Sequence, residues 1–158
     1  MTTLPPPPHH GVILFAHGSR DPQWREPIEA VRQHIARHQP QVLTCCAYLE
    51  LCEPDLAQAT RDLLAQGAAS ITITPMFLGT GKHAREDLPQ LMAALRAQHP
   101  QVQFTVQQAI GEDPRMTALM ADIAELSTAR DSLHFAPAPD PADAFLPSMP
   151  LADGLRGF

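Results

Sequence analysis

Four short apolar runs punctuate the chain: Val12–Ala16, Val42–Leu49, Ser70–Thr74 and Val102–Val106. They start about 30 residues apart, the length of one strand-plus-helix unit. The stretches between them carry apolar residues at helical spacing. Trp24, Ile28, Val31 and Ile35 fall at steps of 4, 3 and 4, which is one stripe along a helix. A second helix is predicted to begin at Pro54, a favoured first-turn position. It carries Leu56, Leu63 and Leu64 and stops at Gly67. A third has Asp87 as its expected N-cap with Gln90 at capping-box spacing. Its stripe is Leu88, Leu91, Met92 and Leu95, and it ends at His99-Pro100. The fourth opens on Asp113-Pro114 and carries Met116, Leu119, Met120 and Ile123.

The order is β-α repeated four times. Near-continuous apolar strands alternating with amphipathic helices imply an α/β fold, a four-stranded parallel sheet with helices on both faces. Right-handed crossovers restrict the topology and leave the strand order open.

Composition adds boundaries. The 158 residues suit one domain, but the 17 prolines crowd at 5–8 and in the last 22 residues. The expected organisation is a Pro-rich N-terminal tail over 1–10, a folded domain over 11–130 and a Pro/Ala-rich C-terminal tail over 131–158. No run approaches the ~20 apolar residues of a membrane span. The first residues lack the basic start and apolar stretch of a secretory signal. Cys45, Cys46 and Cys52 form no zinc-ribbon pattern, and adjacent strand residues point to opposite faces, so reduced thiols in a cytoplasmic protein are expected. A net charge of −6 argues against nucleic acid as a partner. Ten of the 11 basic residues are Arg, and the single Lys is Lys82.

In sheets of this kind ligands bind outside the carboxyl ends of the strands. Those ends read "AHGSR", "YLELCEP", "PMFLGTGKHAREDLP" and "QQAIGEDPRM". His17, Glu50 and His83 are spaced by 33 residues each, so successive strand ends can bring them together. Two imidazoles and a carboxylate suit a first-row divalent metal, and equally suit acid–base work. The plainer readings are that His17 is a turn residue and that Gly79-Thr80-Gly81 is a flexible loop. His9 and His10 read as polar tail, His34, His38 and His99 as solvated helix residues, and Met116 and Met120 as core filler. No dinucleotide fingerprint or Walker loop is present. The His-Gly pair resembles a histidine phosphatase motif, but residue 16 is Ala where that motif has its phosphate-binding Arg.

The segments "HGSRDP", "YLE" followed by Pro54, P-x-FL-x-x-G-x-H-x-x-x-DLP and "IGEDPRM" together resemble the small single-domain class II chelatases of tetrapyrrole synthesis. The likeness is strongest to sirohydrochlorin cobaltochelatases of the short CbiX type and spans about residues 11–126. It implies a parallel α/β half-domain that forms a homodimer and takes a tetrapyrrole into a cleft. His17 and His83 would bind the incoming metal, with Glu50 beside them. The implied reaction is insertion of Co2+ into sirohydrochlorin for cobalamin synthesis, with the metal as substrate and no organic cofactor. Insertion of Fe2+ or Ni2+, or a non-catalytic metal or tetrapyrrole carrier, are the alternatives. Sirohydrochlorin is a polycarboxylate, so Arg20, Lys82 and Arg85 are expected to receive it. Gly18, Ser19 and Gly81 would add backbone and hydroxyl contacts. The Pro-rich C-terminal tail departs from the family pattern.

Overall fold

A computed structural model of the chain describes residues 9–131, the side chains of residues 83, 84 and 127–131 excepted. The strands are β1 (His9–Ala16), β2 (Val42–Tyr48), β3 (Ala68–Pro75) and β4 (Gln103–Val106). The helices are α1 (Glu26–His38), α2 (Leu56–Ala65), α3 (Lys82–Gln98) and α4 (Pro114–Asp131), with 3-10 turns at Pro22–Arg25 and Ile110–Glu112. The sheet is parallel throughout in the order β2-β1-β3-β4, so the expected α/β class holds. The chain steps from β1 to β2 on one side and returns to β3 on the other. That reversal makes the β1/β3 edge the place where a crevice opens in such sheets.

Strand alternation sorts the core into two faces. Ile13 and Phe15 of β1 join Ala47, Ile71 and Ile73 against Leu56, Ala59 and Leu63 of α2 and Met92 and Leu95 of α3. Leu14 and Ala16 point the other way, with Cys46 and Tyr48, and meet Ile28 and Ile35 of α1. Only half of the α1 stripe is seated, because Trp24 and Val31 remain 39% exposed. Trp24 stands in the 3-10 turn ahead of α1 and reaches the Tyr48 ring edge-on at 6.4 Å.

Three local expectations are corrected. β1 begins at His9, so the last two residues of the expected tail over 1–10 belong to the sheet, where His10 pairs with Val42 and Ser70. The His10 ring also meets the Ser70 hydroxyl at 2.9 Å. Residues 1–8, and all of the C-terminal tail beyond residue 131, lie outside the described residues. α2 starts after Asp55 rather than at Pro54, because the Asp55 carboxylate accepts the Gln58 N–H at 2.7 Å and caps the helix. α3 starts at Lys82 rather than after Asp87. Extended Gly81 (φ −66°, ψ 167°) opens it without a side-chain cap, and Pro89 is carried inside. There Pro89 withholds the bond that the Arg85 carbonyl would otherwise receive.

The described chain divides within α4 into one unit ending at Ala121, which holds the sheet, and another from Asp122, of which only the last turns of α4 are described. Among the described residues no helix is long and apolar enough to cross a membrane.

Candidate functional site

The β1/β2 ladder continues past both strand ends. Ala16 pairs with Tyr48, the Leu49 N–H then donates to the Ala16 carbonyl at 2.8 Å, and the Glu50 N–H donates to the His17 carbonyl at 2.9 Å. His17 and Glu50 are therefore neighbours fixed by backbone, as their spacing suggested. Gly18 makes this approach possible. Its φ is +99°, and a Cβ there would overlap the Glu50 carbonyl oxygen. The expected role of Gly18 as room for a ligand is thus shared with a need of the chain itself. Beyond Glu50, the Cys52 N–H donates to the Glu50 carbonyl at 2.9 Å across Leu51, whose φ is +67°. This is a γ-turn with a non-glycine residue in the left-handed region, a conformation that stores strain at the lip of the site.

A cavity of about 520 Å³ opens at this edge, lined by His17, Leu49, Glu50 and Asp87. Asp87 is the member that sequence reasoning assigned a different role, as a helix cap. With α3 beginning at Lys82, His83 stands in its first turn and Asp87 four residues on, so the two positions share a face. The signal available in the sequence was that spacing, readable only once the helix start is known. The His83 side chain lies outside the described residues. Among the described residues, no three His, Cys, Asp or Glu side chains gather closely enough to hold a metal ion.

The imidazole of His17 lies over the ring of Phe77, centroid to centroid 4.4 Å with the planes 34° apart. Phe77 is 3% exposed and is held edge-on by Phe15 at 6.1 Å. Sequence reasoning quoted this residue only as the Phe of the P-x-FL motif and gave it no role of its own.

The remaining candidates fall outside the cavity lining. The Ser19 hydroxyl accepts the Asp21 N–H at 3.1 Å, which shapes the turn into the Pro22–Arg25 segment. Arg20 is exposed. Lys82 is also exposed and stands 3.9 Å from Glu86, a solvated pair of little energetic weight. Gly79 and Gly81 have no heavy atom within 4 Å of where a Cβ would sit, so packing within the chain does not demand glycine at either position. Arg85 is two residues from both 83 and 87, which turns it about 160° away round the helix. It lines a separate cavity of about 330 Å³ with Leu88, Met92 and Arg96. Arg85 therefore stands apart from the cavity that His17 lines.

Burial pushes the thiols of Cys45 and Cys46 up to about 12, with the Asp62 charge adding to the effect on Cys45 and the Glu29 charge to that on Cys46. Both stay protonated at neutral pH and offer no thiolate to a metal. On the α1 face the Tyr48 hydroxyl, likewise raised by burial, donates to Glu29 at 3.3 Å. Burial also acts to raise the Glu29 carboxyl, but Arg32, 2.7 Å away, outweighs it and holds that carboxyl below its usual range.

The CbiX family model matches residues 11–125. A sirohydrochlorin cobaltochelatase of Saccharolobus solfataricus is 29% identical over 112 residues, 67% of this chain and 86% of the relative. One from Sulfolobus acidocaldarius is 27% identical over 115 residues, 73% of this chain and 89% of the relative. Among solved structures, a CbiX protein of cobalamin (vitamin B12) biosynthesis from Marinobacter aquaeolei VT8 superposes with a TM-score of 0.69 at 32% identity, covering 78% of this chain and 98% of the other. The sirohydrochlorin chelatase SirB of Bacillus subtilis subspecies spizizenii, in complex with cobalt, gives 0.61 at 26% identity over 73% of this chain and 51% of its own length.

Proposed function

The chain belongs to the CbiX family, and on that footing we propose that it is a sirohydrochlorin cobaltochelatase, inserting Co2+ into the macrocycle. The observation that carries the reading is the cavity in which the β1 and β2 ends bring His17 and Glu50 together, with Asp87 beside them. His83 supplies the second imidazole from the first turn of α3. Metallation exchanges water on the ion for ring nitrogens and removes pyrrole N–H protons. Neutral imidazoles hold a divalent ion firmly enough to place it and loosely enough to release it. Glu50 offsets the metal charge or accepts a proton. The names of the relatives and the cobalt-bound SirB neighbour support Co2+ in this reading, while SirB with Fe3+ is a neighbour as well, so the metal is what the parallel assay decides.

The protein works as a homodimer in this proposal.

The test is a spectroscopic assay with purified sirohydrochlorin and Co2+, Fe2+ and Ni2+ in parallel. Many turnovers at fixed protein with Co2+ preferred supports the proposal, whereas stoichiometric transfer marks a carrier and an Fe2+ preference moves the metal assignment. His83→Ala is expected to abolish insertion with the fold intact. Turnover like that of the wild type would remove His83 from the metal site.

A further inference from the structure

A ligating histidine is usually aimed by a hydrogen bond from its second ring nitrogen. Among the described residues no hydrogen bond reaches the His17 imidazole, and the ring face of Phe77 at 4.4 Å is what it rests on. Phe77 is in turn fixed from behind. The Gly111 N–H donates to the Phe77 carbonyl at 2.9 Å, and a Cβ on Gly111 would overlap the backbone of Leu78. The same turn makes a second contact three residues along the β3–α3 connection, where the Thr80 hydroxyl donates to the Glu112 carboxylate at 2.8 Å. The Ile110–Glu112 turn after β4 therefore grips the connection at both ends, under His17 and just ahead of the helical turn that carries His83.

We propose that Phe77, held by the Ile110–Glu112 turn, is a positioning residue that sets the plane of the His17 imidazole toward the cavity. The proposal rests on the reading of His17 as a metal ligand. It gives a purpose to the "IGE" segment. An aromatic face restricts rotation about the imidazole's side-chain torsions without occupying either ring nitrogen. The cationic character that an imidazole gains on binding a metal is also favoured over a ring face.

The experiment uses the full chain and Co2+ alone, without tetrapyrrole. In the wild type the His17 ring protons are expected to carry a ring-current shift from Phe77. Phe77→Leu should abolish that shift and weaken Co2+ binding about 3- to 10-fold, the penalty for ordering one loosened side chain on binding. Gly111→Ala should do both without altering either ring. Thr80→Val, at a half-buried position, is expected to weaken Co2+ binding with no more than the small fall in Tm of one lost hydrogen bond. Thr80→Ser restores binding, so a Phe77 variant that fails to fold does not end the test. An unshifted His17 ring in the wild type, or Co2+ binding unchanged in Phe77→Leu and Thr80→Val alike, overturns the proposal. His17→Ala separates the two levels. If it binds Co2+ like the wild type, the metal-ligand reading itself is wrong. If it loses Co2+ while the Phe77 and Thr80 variants keep it, only the positioning role is lost.

Discussion

Gly18→Ala disturbs the site while leaving every candidate ligand in place. At φ +99° an alanine sits in a region that costs roughly 1–3 kcal/mol for a residue with a Cβ. The new Cβ would also overlap the Glu50 carbonyl oxygen, and relieving that overlap pulls Glu50 from the 2.9 Å bond its N–H makes to the His17 carbonyl. Losing such a bond adds about 0.5–1.5 kcal/mol. The expected destabilisation is therefore about 2–4 kcal/mol, which at roughly 4 °C per kcal/mol lowers Tm by about 8–16 °C. The protein stays folded at room temperature, since domains of this size have about 5–15 kcal/mol in hand. Activity should fall further than stability, because a displacement of about 1 Å between reacting groups costs on the order of 100-fold. Thermal unfolding and the metal-insertion assay are run on the same sample. Gly81→Ala is the control: its φ of −66° and open surroundings predict a change in stability within about 0.5 kcal/mol. A Gly18→Ala protein with the Tm and turnover of the wild type would refute the claim that Gly18 fixes His17 against Glu50.

Leu63→Ala, at a side chain 1% exposed between α2 and the sheet, is expected to cost about 2–5 kcal/mol, read as a lower urea midpoint at unchanged slope. Cys45, pushed up from 9.0 to about 12, should alkylate about 1000-fold more slowly at pH 8 than a free thiol, and rapid modification in the native state would contradict its burial. The folded chain keeps a proton there that the unfolded chain releases, so denaturation midpoints should fall as pH rises above about 9. Asp87→Asn is expected to weaken Co2+ binding on the order of threefold with Tm unchanged. Calorimetric titration giving an unaltered affinity would take Asp87 out of the metal's environment.

The inner strands β1 and β3 were legible because their later residues are buried on both faces, so an apolar run and a strand coincide. The edge strand β4 instead alternates exposed Gln103 and Thr105 with buried Phe104. Element ends were less so. The α3 start was misplaced because Asp87 and Gln90 have capping-box spacing, while the true start depends on Gly81 adopting an extended backbone that no side chain advertises. That one error concealed Asp87 as a cavity residue. The meeting of His17 with Glu50 followed from repeat length alone, since equal strand-plus-helix units deliver equal offsets to one sheet edge. Phe77 was not legible at all. Its part depends on which way a ring at the end of β3 turns, and apolar composition reads the same for core and for shelf.

The helical placement of "KHARED" also bears on how two oppositely charged substrates reach one site. His83 and Asp87 share a face, and Arg85 stands about 160° away from both. Asp87 and Glu50 then give the cavity an acidic lining around His17, which draws a divalent cation and repels the carboxylate rim of a tetrapyrrole. The cations left for that rim are Arg20 and Lys82, both exposed, with Lys82 only loosely paired to Glu86 at 3.9 Å. Net charge is therefore a poor guide here. A chain of −6 overall can accept a polyanion if exposed cations such as Arg20 and Lys82 receive it while the acidic groups lie inside with the metal. On the proposed function, the ion bound within neutralises the lining that would otherwise repel the macrocycle. Metal binding should thus ease tetrapyrrole binding, and by linkage the reverse holds to the same degree.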